Sequence, residues 1–346
     1  MKIIPLATNL IGSFPLRDTR SNFDRALREQ VDSGLDYVSY PQLADMNEMF
    51  LKPLVDESTV TMQGGKYAVT QDFNPRVGRE VKRWTEAAHD FLRREGRYVP
   101  LKACVTGPFT LASNLSVEGS QNKSFPAAYV DLMVEHPWVL EKLTDYVRRI
   151  CVHYSSLSEI VSVDEPYLSV LVGRRKNLLE LGMSRAQASD LVLESLDRPL
   201  SAIKTHSYIH VCGGIGQQLA ETLLETEAEI LSHEFSNMAR NFDVYEPSQV
   251  EGYEKILSVG VMSTSPTEDE GGIEPRGVIR RRMEYATQRY GANRVIFSPD
   301  CGFRPLGDLL GEQEGHQLSI RKIQAMAEVK RELSLEMGFI TAERGG

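Results

Sequence analysis

The sequence predicts an α/β fold, a (β/α)8 TIM barrel in one domain spanning residues 1–346, with a β-hairpin inserted after the second strand. Three observations predict it. Short β-branched runs alternate with longer segments of helical period, and that alternation implies parallel pairing. There are eight such runs, the number that closes a barrel. Polar and metal-capable residues collect at the carboxyl end of each run, whereas a strand buried on both faces stays apolar throughout.

The first run lies within "KIIPLATNLIG" and ends at Gly12-Ser13. The second, "DYVSY", ends at Tyr40-Pro41-Gln42. "STVTMQGGKYAVTQDF" then alternates around Gly64-Gly65 and reads as the hairpin. The third and fourth runs, "LKACVTG" and "IVSVDEP", end at Thr106-Gly107 and Asp164-Glu165. "SYIHVCG" ends at His210-Val211-Cys212, and "AEILSHEF" at Glu234. "ILSVGVM" leads to Ser263-Thr264, and "RVIFSPDCG" to Asp300-Cys301. Segments with apolar residues at helical spacing lie between them, among them "AAYVDLMVEHPWVLEKLTDYVRRICVHYSS", "IGQQLAETLLE" and "RGVIRRRMEYATQRYG". "SIRKIQAMAEVKRELSLEMG" reads as a terminal helix. "SPTEDEGGIEPRG" is an acidic loop after strand seven, either a lid over the site or a solvated connection. No internal repeat, low-complexity tract or Pro/Gly/Ser-rich linker marks a domain boundary.

The formal net charge of -9 argues against a nucleic-acid surface, which needs a basic face. The apolar runs are too short to span a bilayer, so no membrane partner is expected. The start, "MKIIPLATNLIGSFPL", lacks the long apolar region and small-residue cleavage site of a signal peptide and reads as the first strand. Four cysteines, Cys104, Cys151, Cys212 and Cys301, are too few for a disulfide framework at this length. A reducing, cytoplasmic setting follows, in which thiols are candidates for metal binding or catalysis. Cys104 and Cys151 lie within a strand and a helical segment and read as buried free thiols.

A strand turns residues i and i+2 to the same face, so His210 and Cys212 can share one metal. Alone, the pair reads first as a buried cysteine and an interior histidine, and a metal needs further ligands. Glu234 and Cys301, ending later strands of the same barrel, add a carboxylate and a second thiolate. Two thiolates, one imidazole and one carboxylate make a tetrahedral set that suits Zn2+. The competing reading is a closed structural zinc site, although such sites draw ligands from adjacent loop knuckles rather than from distant strands. His233 faces away from Glu234 and reads as a packed or surface histidine. Asp164 is either a helix N-cap before Pro166 or a charge partner for a ligand.

"IHVCG", the glutamate on the next strand, "PDCG", "IGSFP" and "VDEP" together resemble cobalamin-independent methionine synthase over nearly the whole chain. The resemblance is to the family's carboxy-terminal catalytic barrel alone, as in single-barrel core enzymes. It implies zinc held by His210, Cys212, Glu234 and Cys301, with homocysteine binding through its sulfur to be methylated to methionine. It implies further that Asp164 pairs with the substrate ammonium, while Ser13 and the Ile11-Gly12 backbone hold its carboxylate.

Three positions depart from the folate-using enzymes. Gln42 stands at the family's second acidic contact to the amine. "VTGPFTLASNLS" offers Asn114 where the family has a folate-stacking tryptophan, and Thr264 stands where it has a catalytic histidine. A methyl group on folate nitrogen needs a proton before it leaves, and a histidine serves that step. A methyl group on cobalt needs none. The expected donor is therefore a methylcorrinoid, carried by a corrinoid protein, with Asp164 and Thr264 as the catalytic candidates. The alternatives are transfer from a methylcobamide to coenzyme M, transfer from methyltetrahydrofolate, and a uroporphyrinogen decarboxylase-like activity. "GPFTLAS" also resembles the decarboxylase, which would use Arg17, Arg20 and Arg25 for substrate carboxylates; these arginines read otherwise as a solvated helix face.

Overall fold

The computed structural model describes residues 2–55, 60–63, 66–119, 132–133, 135–172 and 182–339. The hairpin tip Gly64-Gly65 and residues 127–131 of the long helical segment lie outside them. The strands are β1 (Val38–Ser39), β2 (Val60–Gln63), β3 (Lys66–Val69), β4 (Leu101–Thr106), β5 (Leu115–Val117), β6 (Ile160–Asp164), β7 (His206–His210), β8 (Ile230–Glu234), β9 (Ile256–Met262) and β10 (Val295–Pro299). Seven form one sheet in the order β1-β4-β6-β7-β8-β9-β10. The registers of β1 with β4, β6 with β7, β8 with β9 and β9 with β10 are parallel. This is the α/β fold class of TIM-barrel proteins, and its strands fall where the β-branched runs do.

By internal contacts the chain clusters into two units. One comprises Met1–Leu43, Asp90–Lys102 and Ile230–Gly346; the other comprises Ala44–His89 and Ala103–Glu229. In the first unit the expected first strand is present but broken. Its amide of Asn9 donates to Phe297 O at 2.9 Å, and Phe297 N donates to Ala7 O at 2.7 Å. On its other side Tyr37 N donates to Thr8 O at 3.0 Å, and Gln42 N to Gly12 O at 2.9 Å. The segment thus takes the place between β10 and β1. Leu6 at φ 57 and Gly12 at φ 123 leave the extended region, which reduces its ladder to the single bridges Thr8↔Phe297 and Ser13↔Gln42. Buried polar groups of this unit pair with one another. Buried Lys102 donates to Asn9 Oδ1 at 3.1 Å and Leu10 O at 2.8 Å, and Asn9 Nδ2 donates to Ser258 Oγ at 3.1 Å. The terminal helix runs Glu312–Glu336, starting earlier than the apolar period indicates because Gly311, at φ 81, ends the preceding helix and begins this one.

In the second unit β2 and β3 form the expected antiparallel hairpin. β5 adds to β3 in parallel, a pairing the sequence did not announce because three residues carry no period. The helix Pro137–Tyr154 starts with Pro at a position that needs no N–H donor, and buries Val139, Leu140, Leu143, Tyr146, Val147, Ile150 and Tyr154 along one stripe. Among the described residues no helix is long and apolar enough to cross a membrane.

Candidate metal centre

β7 is buried by its β-branched and aromatic residues and delivers His210 at its last position, 1% exposed. Two residues on, Cys212 is half-buried, and its Sγ lies 3.0 Å from His210 Nε2. The carbonyl of His210 accepts from Glu165 N at 2.8 Å, so β6 fixes the backbone on which the imidazole stands. Cys301 follows β10 and is half-buried. The ligand atoms of His210, Cys212 and Cys301 all lie within 4.8 Å of one another. Glu234 ends β8, half-buried, and is not one of that group.

Next to Cys301, Asp300 is 1% exposed and accepts three successive amides, Phe235 and Ser236 at Oδ1 (3.0 and 2.9 Å) and Asn237 at Oδ2 (2.8 Å). Burial pushes its carboxyl up to about 7 against the pull of those amides, and the charge of Glu234 adds to the rise. Glu165, fully buried beside Asp164, accepts Phe109 N and Thr110 N at 2.8 Å each and Thr110 Oγ1 at 2.6 Å. Burial raises it to about 8. Both acids lie in motifs quoted above; what makes them matter is which loops they hold, and that is a tertiary fact.

The residues expected to bind substrate are also placed. Asp164 is 3% exposed at the end of β6, and Ser162 Oγ donates to its Oδ1 at 2.5 Å. Ile11 and Gly12 are buried, and Ser13 is half-buried in a bridge with Gln42. Gln42 is 4% exposed, and its Nε2 is a buried donor with no partner among the described residues. Such a group carries a desolvation penalty of roughly 1–3 kcal/mol until an acceptor reaches it. Gly302 is tight against Ser13, since a Cβ there would lie 1.9 Å from Ser13 Oγ. Thr264 is half-buried in the loop after β9. That loop is tied at its base by Glu274, which accepts Ser263 N at 2.6 Å and Lys322 Nζ at 3.0 Å. Asn114 turns its amide inward to Thr110 O at 3.2 Å and Ser113 Oγ at 3.0 Å. His233 is packed, with Nε2 2.8 Å from Tyr245 Oη.

Residues 51–308 match the family described as uroporphyrinogen decarboxylase (URO-D). The chain belongs to that family. Within it, this URO-D family chain is similar to proteins named methionine synthase. One, from Methanocaldococcus jannaschii, is 24% identical over 331 residues, covering 87% of this chain and 93% of the relative. Another, from Methanothermobacter marburgensis, is 23% identical over 324 residues, covering 87% and 94%. Among solved structures, a B12-independent methionine synthase from Shewanella sp. W3-18-1, in complex with selenomethionine, shares the fold at a TM-score of 0.69 with 15% identity, covering 97% of this chain and all (100%) of that one.

Proposed function

We propose that this chain is a zinc-dependent methyltransferase of the methionine synthase type, methylating the thiol of homocysteine. The observation that carries this is the group of His210, Cys212 and Cys301, together with curated relatives named methionine synthase. The donor set fits zinc. Two thiolates and an imidazole are donors zinc prefers, at bond lengths of about 2.0–2.3 Å. The three ligand atoms already lie within 4.8 Å of one another. Glu234 would be the fourth ligand, the hardest of the four and so the one most weakly matched to zinc beside two thiolates. When bound, the metal holds an acceptor thiol as thiolate at neutral pH.

The protein's own groups set the rest. Asp164, oriented by Ser162, would neutralise the substrate ammonium. Ser13, the Ile11-Gly12 backbone and the unpartnered Gln42 Nε2 would receive its carboxylate, an acceptor matching the donor left open there. The thiolate attacks the methyl carbon in line, the S–C bond forms, and the bond to the donor breaks with its electron pair leaving on the donor. A folate nitrogen would need a proton at that moment. Thr264 is a poor general acid at neutral pH, and Asn114 offers no aromatic face. A methylcorrinoid, brought by a corrinoid protein, meets both conditions, because Co(I) leaves unprotonated. Reduced thiol ligands fit a cytoplasmic setting.

The decarboxylase reading would need free arginines. Arg17 pairs with Glu312 at 3.0 Å, Arg20 with Asp24 at 3.0 Å and Arg25 with Glu29 at 3.2 Å, which favours the methyltransferase. The test is a methyl-transfer assay with homocysteine or coenzyme M as acceptor and methylcobalamin or methyltetrahydrofolate as donor. Methionine should form from methylcobalamin. Rapid methionine formation from methyltetrahydrofolate alone would overturn the donor assignment, and a preference for coenzyme M would overturn the acceptor.

A further inference from the structure

Glu234 is the one expected ligand outside the group formed by His210, Cys212 and Cys301. Its direction depends on the backbone around it, and that backbone is clamped on both sides. Its own carbonyl accepts Asn241 Nδ2 at 2.6 Å, from a side chain 1% exposed. The three amides that follow it, Phe235, Ser236 and Asn237, all point at the carboxylate of Asp300. Asp300 is itself anchored, its N–H donating to Met262 O at 2.9 Å. The sheet register explains how it reaches that loop. Glu234 pairs with Gly260 across β8 and β9, and Asp300 passes over the same glycine. A Cβ at Gly260 would lie 2.3 Å from Asp300 Oδ1 and 2.9 Å from both Asp300 Cα and His233 O, so only glycine leaves the passage open.

We propose that Asp300 is a positioning residue for Glu234: by gathering the amides of residues 235–237 it fixes the turn that aims the Glu234 carboxylate at the metal. The inference rests on the zinc reading above. A carboxylate is required because two oxygens must accept three N–H groups, whereas an asparagine would set its own NH2 against at least one of them. Partners that orient a ligand in this way typically account for 10–100-fold in metal affinity.

The test is a double-mutant cycle on zinc affinity, measured by competition with a chromophoric chelator, with thermal melting of each variant alongside. Asp300→Asn should weaken zinc about 10–100-fold in the wild-type background. In a Glu234→Gln background it should add little, because the ligand it aims is already gone. Should Asp300→Asn fail to fold, Asn241→Ala removes the other clamp and must show the same coupling to Glu234→Gln. Equal losses in both backgrounds, or undiminished zinc affinity in Asp300→Asn, would overturn the inference while leaving the zinc reading intact. A wild-type protein that takes up no zinc would overturn the zinc reading itself, and this inference with it.

Discussion

Replacing Lys322 by Met should destabilise the protein by about 3 kcal/mol, the lower end of the range for breaking a buried ion pair by removing one partner. Lys322 is 0% exposed and donates to Glu274 Oε2 at 3.0 Å, while Glu274 is 7% exposed. Without the lysine, Glu274 stays buried with Arg282 at 3.3 Å, Ser263 N at 2.6 Å and the distant Ser236 Oγ at 3.5 Å. Arg282 is partly shared with Val261 O at 2.9 Å, so it offsets only part of the loss. Neutralising the orphaned acid should recover some of it, making Lys322→Met/Glu274→Gln more stable than Lys322→Met by about 1–2 kcal/mol. Urea unfolding followed by far-UV circular dichroism reads both values from the midpoints, provided the slopes agree. Burial opposes ionisation of Glu274, but the Ser263 amide and Lys322 outweigh it and hold its carboxyl below the usual range. Its contribution is therefore present above about pH 4.3 and lost as the pH falls through the lowered value. A Lys322→Met loss under about 0.5 kcal/mol, or a double mutant no better than the single, would refute the reasoning.

Gly107→Ala would put a Cβ 2.2 Å from Glu165 Oε1, and should destabilise by roughly 2–4 kcal/mol, with Gly252→Ala, which meets nothing within 4 Å, as the neutral control in the same melts. His316 is fully buried against Phe14, and burial lowers its pKa despite the nearby Glu29. Its folded form therefore resists protonation, so stability should fall as the pH drops below about 6.5, and a His316→Gln variant should flatten that limb of a melting-temperature profile. Cys301→Ser should lose most of its zinc on dialysis against a mild chelator while keeping its circular dichroism spectrum; zinc retained at full occupancy would remove Cys301 from the site.

Much of the fold was legible because a parallel sheet leaves a strong trace. β9 coincides with "ILSVGVM" to the residue, and β7, β8 and β10 lie within or beside their predicted runs. The first strand was legible as a run but not as a broken one. Left-handed Leu6 gives no compositional signal, since leucine does not favour that conformation. The pairing of β5 was invisible because a three-residue strand is defined by its partner rather than by its own pattern. The acidic loop after strand seven read as lid or solvated connection. It also carries a buried acid, Glu274, whose lysine lies far along the chain in the terminal helix.

By itself, the sequence determined which chemistry is possible. A histidine and a cysteine two apart at a strand end can share a face, and a second cysteine at the end of the last strand supplies a further soft ligand. Residue type and spacing fix these things locally. Only the tertiary structure decided what holds them in place. It brought the ligand atoms of His210, Cys212 and Cys301 within 4.8 Å of one another. It turned Asp300 over Gly260 onto the amides of residues 235–237, and it left Gln42 Nε2 buried without an acceptor among the described residues. A hydrogen bond between residues 65 positions apart, like that from Phe235 to Asp300, depends on register and close approach, which no local pattern encodes.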